Sequence, residues 1–433
     1  MRPSTSPGKL SVKRSVKAFS LVALLTFGAC VPAVRTLPAP ADPARTGREP
    51  NVRVGIAVDT TSVQISASTP LDLVDASTNR TISTVPVGTT VSVSAEGTQR
   101  IRARVGNADV WTSGALLLAR PQRDGTLTIA GRPYRGTGLV RISGAGRVTA
   151  VNQVDMEAYL LGVVPREIGR VGEELLEAAK AQAVAARTYA VRYMGRRESL
   201  GFDVYATVQD QVYGGVQDEH DPVSRAVRET AGEVMLHNGQ PIEAFYHSTC
   251  AGQTAAIEEV WNEAPRPYLR SVVDRDPVTG EAFDRSSNRF TWTQRWTAQE
   301  ITDILNRTLA DSLPAGVRSI GEIQEMRVLE RTPSDRVRRM RIVTTNGTVH
   351  VGGDRIRWIL PTQSGAILNS SKFDVQLVPD GAGRLQEVVA IGGGWGHGIG
   401  MCQVGAMGRA RAGQNYRTIL TTYYTGVEIR QLY

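Results

Sequence analysis

Glycine occupies every even position from Gly392 to Gly400 in the stretch "GGGWGHGIGMCQVGAMGRARAG", residues 392–413. A backbone so bare either takes positive φ, where other residues are strained, or is approached by something that leaves no room for a Cβ. Within and just after the run stand an indole, an imidazole and a thiol: Trp395, His397 and Cys402. Such a set suits a catalytic site, a metal site or a binding surface, and the rest of the chain has to choose among them.

With 433 residues at 41% hydrophobic composition, the chain can bury one large core or two ordinary ones, so two domains are the expectation. The net charge of +8 suggests an anionic partner only at first sight. Residues 1–50 hold eight Arg/Lys against two Asp/Glu, or +6, which leaves 42 basic and 40 acidic groups, or +2, on the remaining 383 residues. A nucleic-acid partner is not expected, because that reading wants a basic footprint on the folded domain.

The N-terminus carries the charge. "MRPSTSPGKLSVKRSVK" is basic, "AFSLVALLTFGA" is an apolar run of twelve, and small residues follow. This order describes a signal peptide over residues 1–30, too short for a membrane span. Cys30 closes the run as the lipidated residue of a bacterial lipoprotein would, so the expected location is extracytoplasmic, with the membrane held through an N-terminal lipid. Ordinary cleavage after Ala33 is the alternative, and it places the chain outside the cytoplasm as well. Residues 31–50, rich in Pro and Ala, read as a tether. The two remaining cysteines, Cys250 and Cys402, share a compartment where disulfides persist and are the candidate pair.

Residues 51–150 alternate short β-rich runs, among them "VRVGIAV", "SVQISAS", "TTVSVSA" and "RVTAVNQV", with turn signals, which predicts an antiparallel scaffold. "DMEAYLLGVV" then starts a helix capped by Asp155 and interrupted at Pro165, ahead of Arg166 and Glu167. "EELLEAAKAQAVAARTYAVRYM" is a second helix whose Leu175, Leu176, Ala179, Ala183, Ala186 and Ala190 form a face of small residues. Lys180 is conspicuous there, because the chain otherwise chooses Arg and has one other lysine, Lys372, beyond its first 17 residues. "GFDVYATVQDQVYGGV" reads as β-like, "DPVSRAVRETAGEVML" as helical, and "QPIEAFYHSTCAGQTAAIEEVW" as a strand entering a polar loop. Residues 274–385 show a probable helix, "TAQEITDILNRTLA", and strands such as "RRMRIVTTNGTVHV", but no chemistry. The expected fold class is α+β: a β-rich N-terminal region followed by a mixed α/β region, residues 151–433, that holds a groove.

Several blocks in order, "YLLGVVPREIG", "LLEAAKAQAVAARTYAV", "FYHSTCAGQTAAIEEVW" and "GWGHGIGMCQVGAMGRARAG", with a weaker "DQVYGG" between, closely resemble the SpoIID/LytB family of bacterial cell-wall proteins. The resemblance spans about residues 151–433, with 274–385 as a less characteristic insertion. It implies a protein that binds peptidoglycan glycan strands, and an activity: lytic transglycosylation with Glu167 as the catalytic acid. One carboxyl suffices for that reaction, because the sugar's own C6 hydroxyl attacks its anomeric carbon. Hydrolytic glycosidases instead use a carboxylate pair. Glu167 would need a raised pKa, and Val163, Val164, Pro165 and Ile168 supply apolar surroundings.

The same blocks offer the substrate-contact candidates. Lys180 and Arg187 lie on the second helix, Gln211 and Tyr213 in "DQVYGG", and His247, Ser248 and Thr249 in "YHSTC". Trp395, His397 and Gln403 lie in the last block, whose bare backbone would line one wall of the sugar groove. The family often has Ser where this chain has Cys250 and Cys402, which suggests that the two loops touch. A disulfide needs Cα atoms within about 7 Å and contributes roughly 2–4 kcal/mol. Free thiols remain a further possibility, and a zinc set of His247, Cys250, His397 and Cys402 is the weaker alternative to an otherwise cofactor-free protein. Two other functions stay open: a non-catalytic enhancer of a cell-wall amidase, and a peptide hydrolase using one of the thiols. No G-x-S-x-G, H-E-x-x-H or Walker pattern is present.

Overall fold

The computed structural model of the protein describes residues 47–309 and 319–433. The signal peptide, Cys30 and nearly all of the tether lie outside the described residues. No helix among those described is long and apolar enough to cross a membrane.

Residues 51–155 form the expected antiparallel scaffold as two sheets over a shared core. One is seven-stranded, in the order Val204–Tyr205, Asn51–Thr60, Arg147–Asp155, Thr137–Ser143, Leu116–Pro121, Leu71–Asp75 and Arg80–Val85. The other is six-stranded and centred on Ser62–Ala67 and Val91–Glu96. Alternation sets the faces: along Ser62–Ala67 the buried residues are Val63, Ile65 and Ala67.

The chain leaves this scaffold directly into helix α1 (Met156–Glu167). Asp155 occupies the N-cap position without capping. The first turn is satisfied from the tether's end instead: Glu49 Oε1 accepts the Glu157 N–H (2.8 Å) and the Pro50 carbonyl accepts that of Met156 (3.0 Å). Pro165 does not interrupt the helix, which runs two residues beyond it to Glu167. So near the C-terminal end, the missing N–H removes one hydrogen bond from the last turn and leaves the remaining turns untouched.

Helix α2 (Leu176–Tyr193) is buried on almost every side. Alanines at 178, 179, 181, 183, 185, 186 and 190 let its neighbours approach closely all round, where the sequence suggests a single face. Arg187 is fully buried on it and is a structural tie. Its guanidinium donates to both Glu157 carboxylate oxygens (2.8 and 2.6 Å) and to the carbonyls of Glu233 and Val227. Those groups belong to α1, the strand Glu233–His237 and helix α3 (Val223–Glu229). Lys180 pairs with Glu177 (2.9 Å) and Glu229 (2.8 Å) at the helix edge. The expected helix over "DPVSRAVRETAGEVML" therefore ends at Glu229, and "EVMLH" is a strand paired with Gln240–Pro241 and Glu428–Gln431. Of the β-like "GFDVYATVQDQVYGGV", only Val204–Tyr205 is a strand.

After the short helix α4 (Ile257–Val260), the inserted segment builds a core of its own around Trp296, Ile301, Leu305, Met340 and Ile356. It contains helix α5 (Ala298–Thr308), closed by a Thr297/Glu300 capping box, and helix α6 (Arg355–Ile359). Two three-stranded sheets complete it, one of them pairing Leu385–Gly392 with Trp292–Thr297 and Phe373–Pro379. The chain then returns through the glycine run to helices α7 (Gln403–Arg411) and α8 (Tyr416–Tyr423), which pack on α2.

Replacing Arg187 by Met leaves the Glu157 carboxylate without its cation, so urea unfolding is expected to show a loss of about 3–5 kcal/mol. Lys180→Met, which removes pairs at the edge of the fold, is expected to cost no more than about 1 kcal/mol. Equal effects of the two substitutions would contradict the structural role given to Arg187.

Candidate functional site

The last turn of α1 delivers Glu167 to a place where four separate segments converge. The Val212 N–H donates to Glu167 Oε1 (2.8 Å), and the Gln403 side chain at the start of α7 also bonds the carboxyl. Gln403 is itself held by Gln182 of α2 through a 3.2 Å amide contact. Burial raises the Glu167 pKa to about 7, against the opposing pull of Val212, Gln403 and Arg166. The hydroxyls of Tyr159 and Tyr246 lie close enough that the Glu167 charge adds to the effect of burial in raising both. Gln211 lies between those two tyrosines, accepting from Tyr159 (3.1 Å) and donating to Tyr246 (3.1 Å) and to the Ala186 carbonyl (3.2 Å). A carboxyl so placed is neutral for much of the time near neutrality and can give up a proton or take one back.

The glycine run resolves differently from the groove wall expected of it. Gly394, Gly396, Gly398 and Gly400 all have positive φ, and the protein itself fills the space where their side chains would stand. A Cβ on Gly394 would meet the Thr249 carbonyl at 2.8 Å, one on Gly396 the His247 Cβ at 2.8 Å, and one on Gly400 the Phe245 carbonyl at 2.1 Å. Gly398 lies against Arg336, a fully buried arginine of the insert whose guanidinium nitrogens meet no hydrogen-bond partner among the described residues. The bare backbone thus admits the chain's own "YHSTC" loop and the insert, not a sugar.

Of the residues between the glycines, Trp395 and His397 are more open and Ile399 is buried. Trp395 is half-buried, with the Arg289 guanidinium 4.1 Å over its ring. His397 packs against Trp261 and His247, at ring distances of 5.2 and 5.6 Å. Burial, with the charges of Arg357 and Arg336, holds its imidazole down at about 3 even though one edge reaches the surface, and its Nδ1 accepts the Ile399 N–H (3.0 Å). It is therefore a neutral residue, and among the described residues no hydrogen bond joins it to Glu167.

Cys250 and Cys402 are brought together, as the two family blocks imply, by the parallel pairing of Tyr246–His247 with Met401–Cys402. They stand as free thiols with no bond between them. Each sulfur has its own partners. Cys402 accepts the N–H groups of Cys250 (3.2 Å) and Gly405 (3.3 Å), while Cys250 points at Asp274 Oδ2 (3.4 Å). Two carboxylates, Asp284 of the insert and Asp274 at its start, neither among the candidates above, organise this spot. Asp284 accepts three successive N–H groups, from Cys250, Ala251 and Gly252, and Asp274 binds Arg409 (2.9 Å) and Tyr423 (2.9 Å). Burial pushes the Cys402 thiol up to about 11 and Cys250 well above its ordinary value, so neither is a ready nucleophile.

The ligand atoms of His247, Cys250 and Cys402 lie within 4.8 Å of one another, all three residues buried. His247 is held neutral by burial, faces the Ile399 carbonyl with Nδ1 (3.2 Å), and leaves Nε2 without a partner among the described residues. That donor set fits zinc. His397 stands outside it, which corrects the four-ligand set expected from sequence.

Of the remaining candidates, Tyr213 is buried with its hydroxyl on Asn152 (3.0 Å), and Thr249 is buried against Ser287 (2.8 Å). Ser248 is half-buried, hydrogen-bonded to Thr249 (3.2 Å). With Lys180 and Arg187 committed to ion pairs, the site is Glu167 surrounded by Val212, Gln403, Tyr159 and Tyr246. Gln182, Val212 and Tyr246 sit inside or beside the quoted blocks yet are not singled out by them.

If the glycines serve packing, Gly400→Ala, whose Cβ would meet a backbone oxygen at 2.1 Å, is expected to destabilise the protein by at least about 2 kcal/mol. Gly413→Ala, also at positive φ but with open space, is expected to cost about 1 kcal/mol. Native stability of Gly400→Ala with lost ligand binding would assign the run to a ligand instead.

Residues 144–237 match the family described as Stage II sporulation protein, and residues 278–400 match a domain of unknown function, DUF8618. An uncharacterised protein of Brachyspira hyodysenteriae is 30% identical over 331 residues, covering 76% of this chain and 80% of that one. The Stage II sporulation protein D of Bacillus subtilis is 30% identical over 297 residues, 65% of this chain and 76% of its own. The Amidase enhancer of the same organism is 29% identical over 395 residues, and the match spans 79% of this chain but about half, 53%, of the enhancer. A chain this similar to Stage II sporulation protein D, carrying that family's domain and its blocks gathered around one carboxyl, belongs to the SpoIID/LytB family of cell-wall-related proteins.

Proposed function

We propose that the protein is a peptidoglycan lytic transglycosylase that cleaves the glycosidic bond on the reducing side of N-acetylmuramic acid, with Glu167 as its single acid and base. What carries this reading is the Glu167 carboxyl itself, raised by burial to about 7 and fixed by Val212 and Gln403. The protonated carboxyl donates to the leaving glycosidic oxygen as the bond from that oxygen to the anomeric carbon breaks. The carboxylate so formed takes the proton of the C6 hydroxyl as its oxygen bonds the anomeric carbon. A 1,6-anhydro end results, no water is consumed, and the carboxyl returns to its starting state. With Val212, Gln403, Tyr159 and Tyr246 around it and no second carboxylate bonded to it among the described residues, Glu167 suits this chemistry better than hydrolysis, for which a second carboxylate would have to activate water.

The cell-wall surroundings of such an activity agree with an extracytoplasmic location and a lipid anchor on Cys30. A zinc ion held by His247, Cys250 and Cys402 would cross-link the two loops behind the site and supply rigidity there. The relative named Amidase enhancer suggests a second role, in which the same glycan grip serves a partner amidase. The half-buried, raised carboxyl favours catalysis, because a grip alone has no use for it. A thiol-dependent peptide hydrolase is disfavoured by the burial of both cysteines.

On peptide-free glycan strands the protein is expected to form 1,6-anhydro ends detectable by mass spectrometry, and Glu167→Gln to lower the rate by about 10²–10⁴-fold while still binding the strands. Because the protonated carboxyl is the active form, kcat/KM is expected to fall as pH rises through about 7. Binding by both proteins with product from neither would make the protein a glycan-binding enhancer.

A further inference from the structure

An amide stands in α2 where packing asks for none. The residues one turn away from Gln182 on its own face are Ala178, Ala179, Ala185 and Ala186, all fully buried, and Gln182 itself is 0% exposed. Its Oε1 accepts from the Gln403 Nε2 (3.2 Å), while its own Nε2 meets no partner among the described residues. A buried N–H group left unbonded costs free energy that an apolar side chain of the same length avoids. The use of Gln182 is therefore to be sought at Gln403.

Gln403 opens helix α7 with its backbone already fixed. Cys402, at the N-cap, accepts the Gly405 N–H (3.3 Å), and the Val404 N–H donates to the Ser248 carbonyl (3.0 Å). Only the side-chain amide is left to turn, and its two ends are chemically opposite: Nε2 carries two N–H donors and Oε1 none. With Nε2 toward Gln182, one N–H serves the Gln182 oxygen and the other is available to the Glu167 carboxyl, which the Gln403 side chain also bonds. Turned over, Gln403 would set its oxygen against the Gln182 oxygen. Turning both amides restores the contact between them but leaves the Gln403 oxygen facing the carboxyl, an arrangement that a carboxylate opposes. The observed arrangement is the one that serves the charged form, and it is the one in which Gln182 leaves its own Nε2 unbonded.

Glu167 has few other donors. The Val212 N–H is one (2.8 Å). Arg166 acts on the carboxyl from an exposed position in which Asp218 (3.6 Å) also draws it, and Tyr159 and Tyr246 face it as neutral phenols. In the reaction proposed above, the carboxyl becomes a carboxylate as the leaving oxygen is protonated, so donors aimed at it beforehand stabilise the charge as it develops.

We propose that Gln182 is a positioning residue: its Oε1 holds the Gln403 amide with an N–H, and not the C=O, against Glu167, so that the carboxylate formed during the reaction meets two aimed donors, Val212 and Gln403. The role rests on the transglycosylase reading of Glu167 and adds to it a residue that touches neither substrate nor the reacting carboxyl.

It is tested on the full chain by carbon NMR titration of Glu167 in the Gln182→Met, Gln403→Met and doubly substituted proteins. Gln182→Met is expected to tighten proton binding at Glu167 about three- to tenfold, the worth of one hydrogen bond. The titration midpoint and the falling limb of kcat/KM move to higher pH together, with KM little changed. Once Gln403 is Met, adding Gln182→Met is expected to bring no further shift, because the group through which Gln182 acts is gone. An equal shift in both backgrounds, which desolvation by the methionine alone would give, or no shift in either, overturns the role. The unsubstituted protein gives a second reading that does not depend on how the variants fold. Both side-chain N–H resonances of Gln403 are expected to follow the Glu167 titration, and their indifference to it also overturns the role. Glycan strands left without 1,6-anhydro ends by the unsubstituted protein would instead remove the transglycosylase reading, while the amide arrangement is still decided by the titrations.

Discussion

The site hangs on α2, a helix that alanine allows to be buried along nearly its whole length. Side chains no larger than a methyl group let α1, α3, α7 and α8 come to it at once. The few long residues on it then act as fixed points. Gln182 holds Gln403, the Ala186 carbonyl holds Gln211, Arg187 ties Glu157, and Tyr189 holds Asp210. These partners come from three segments, and two of them, Asp210 and Gln211, directly precede the Val212 whose N–H fixes the Glu167 carboxyl. Position at the reacting atoms is thus set by a rigid element, as precise chemistry requires.

The electrostatic logic follows from that packing. The converging segments take much of the water from around Glu167, no ion pair holds its charged form among the described residues, and the pull of Arg166 does not outweigh burial, so the carboxyl is held at about 7. Deeper in, the opposite solution appears: Asp284 is supplied with three backbone donors and Asp274 with an arginine and a phenol. A carboxyl raised toward neutrality thus stands apart from carboxylates that organise loops. Both organising carboxylates come from the inserted segment, which, with Arg336 against Gly398, makes the insert a structural partner of the glycine run and more than an appendage.

Much of this was legible in the sequence, unevenly. The helix that starts at Met156, though not its run past Pro165 to Glu167, the alanine-rich helix after it and the alternating strands of residues 51–150 follow from periodicity and turn signals. The strands Leu71–Asp75 and Arg80–Val85 escaped, because "LDLVD" is buried at four of its five positions and does not alternate. "EVML" read as a helical continuation, since a run so short carries no period of its own. Lys180 and Arg187 illustrate a deeper limit: a basic residue on a helix reads alike whether it meets a substrate or a buried carboxylate, and only the position of Glu157 and Glu229 decides. The glycine run announced close approach correctly but could not say what approaches. Asp274 and Asp284 were not among the candidates, because their partners are backbone groups, an arginine and a phenol, the last two more than a hundred residues away.

The most direct test of the account is the titration of the Glu167 carboxyl itself, followed by carbon NMR of glutamate-labelled protein and assigned by its loss in Glu167→Gln. The account predicts a midpoint of about 7, with the Val212 amide shifting in step because its N–H is bonded to that carboxyl. A midpoint near the ordinary 4.5, with Val212 indifferent to it, would mean that Glu167 is charged throughout the working range and is not the acid of this site.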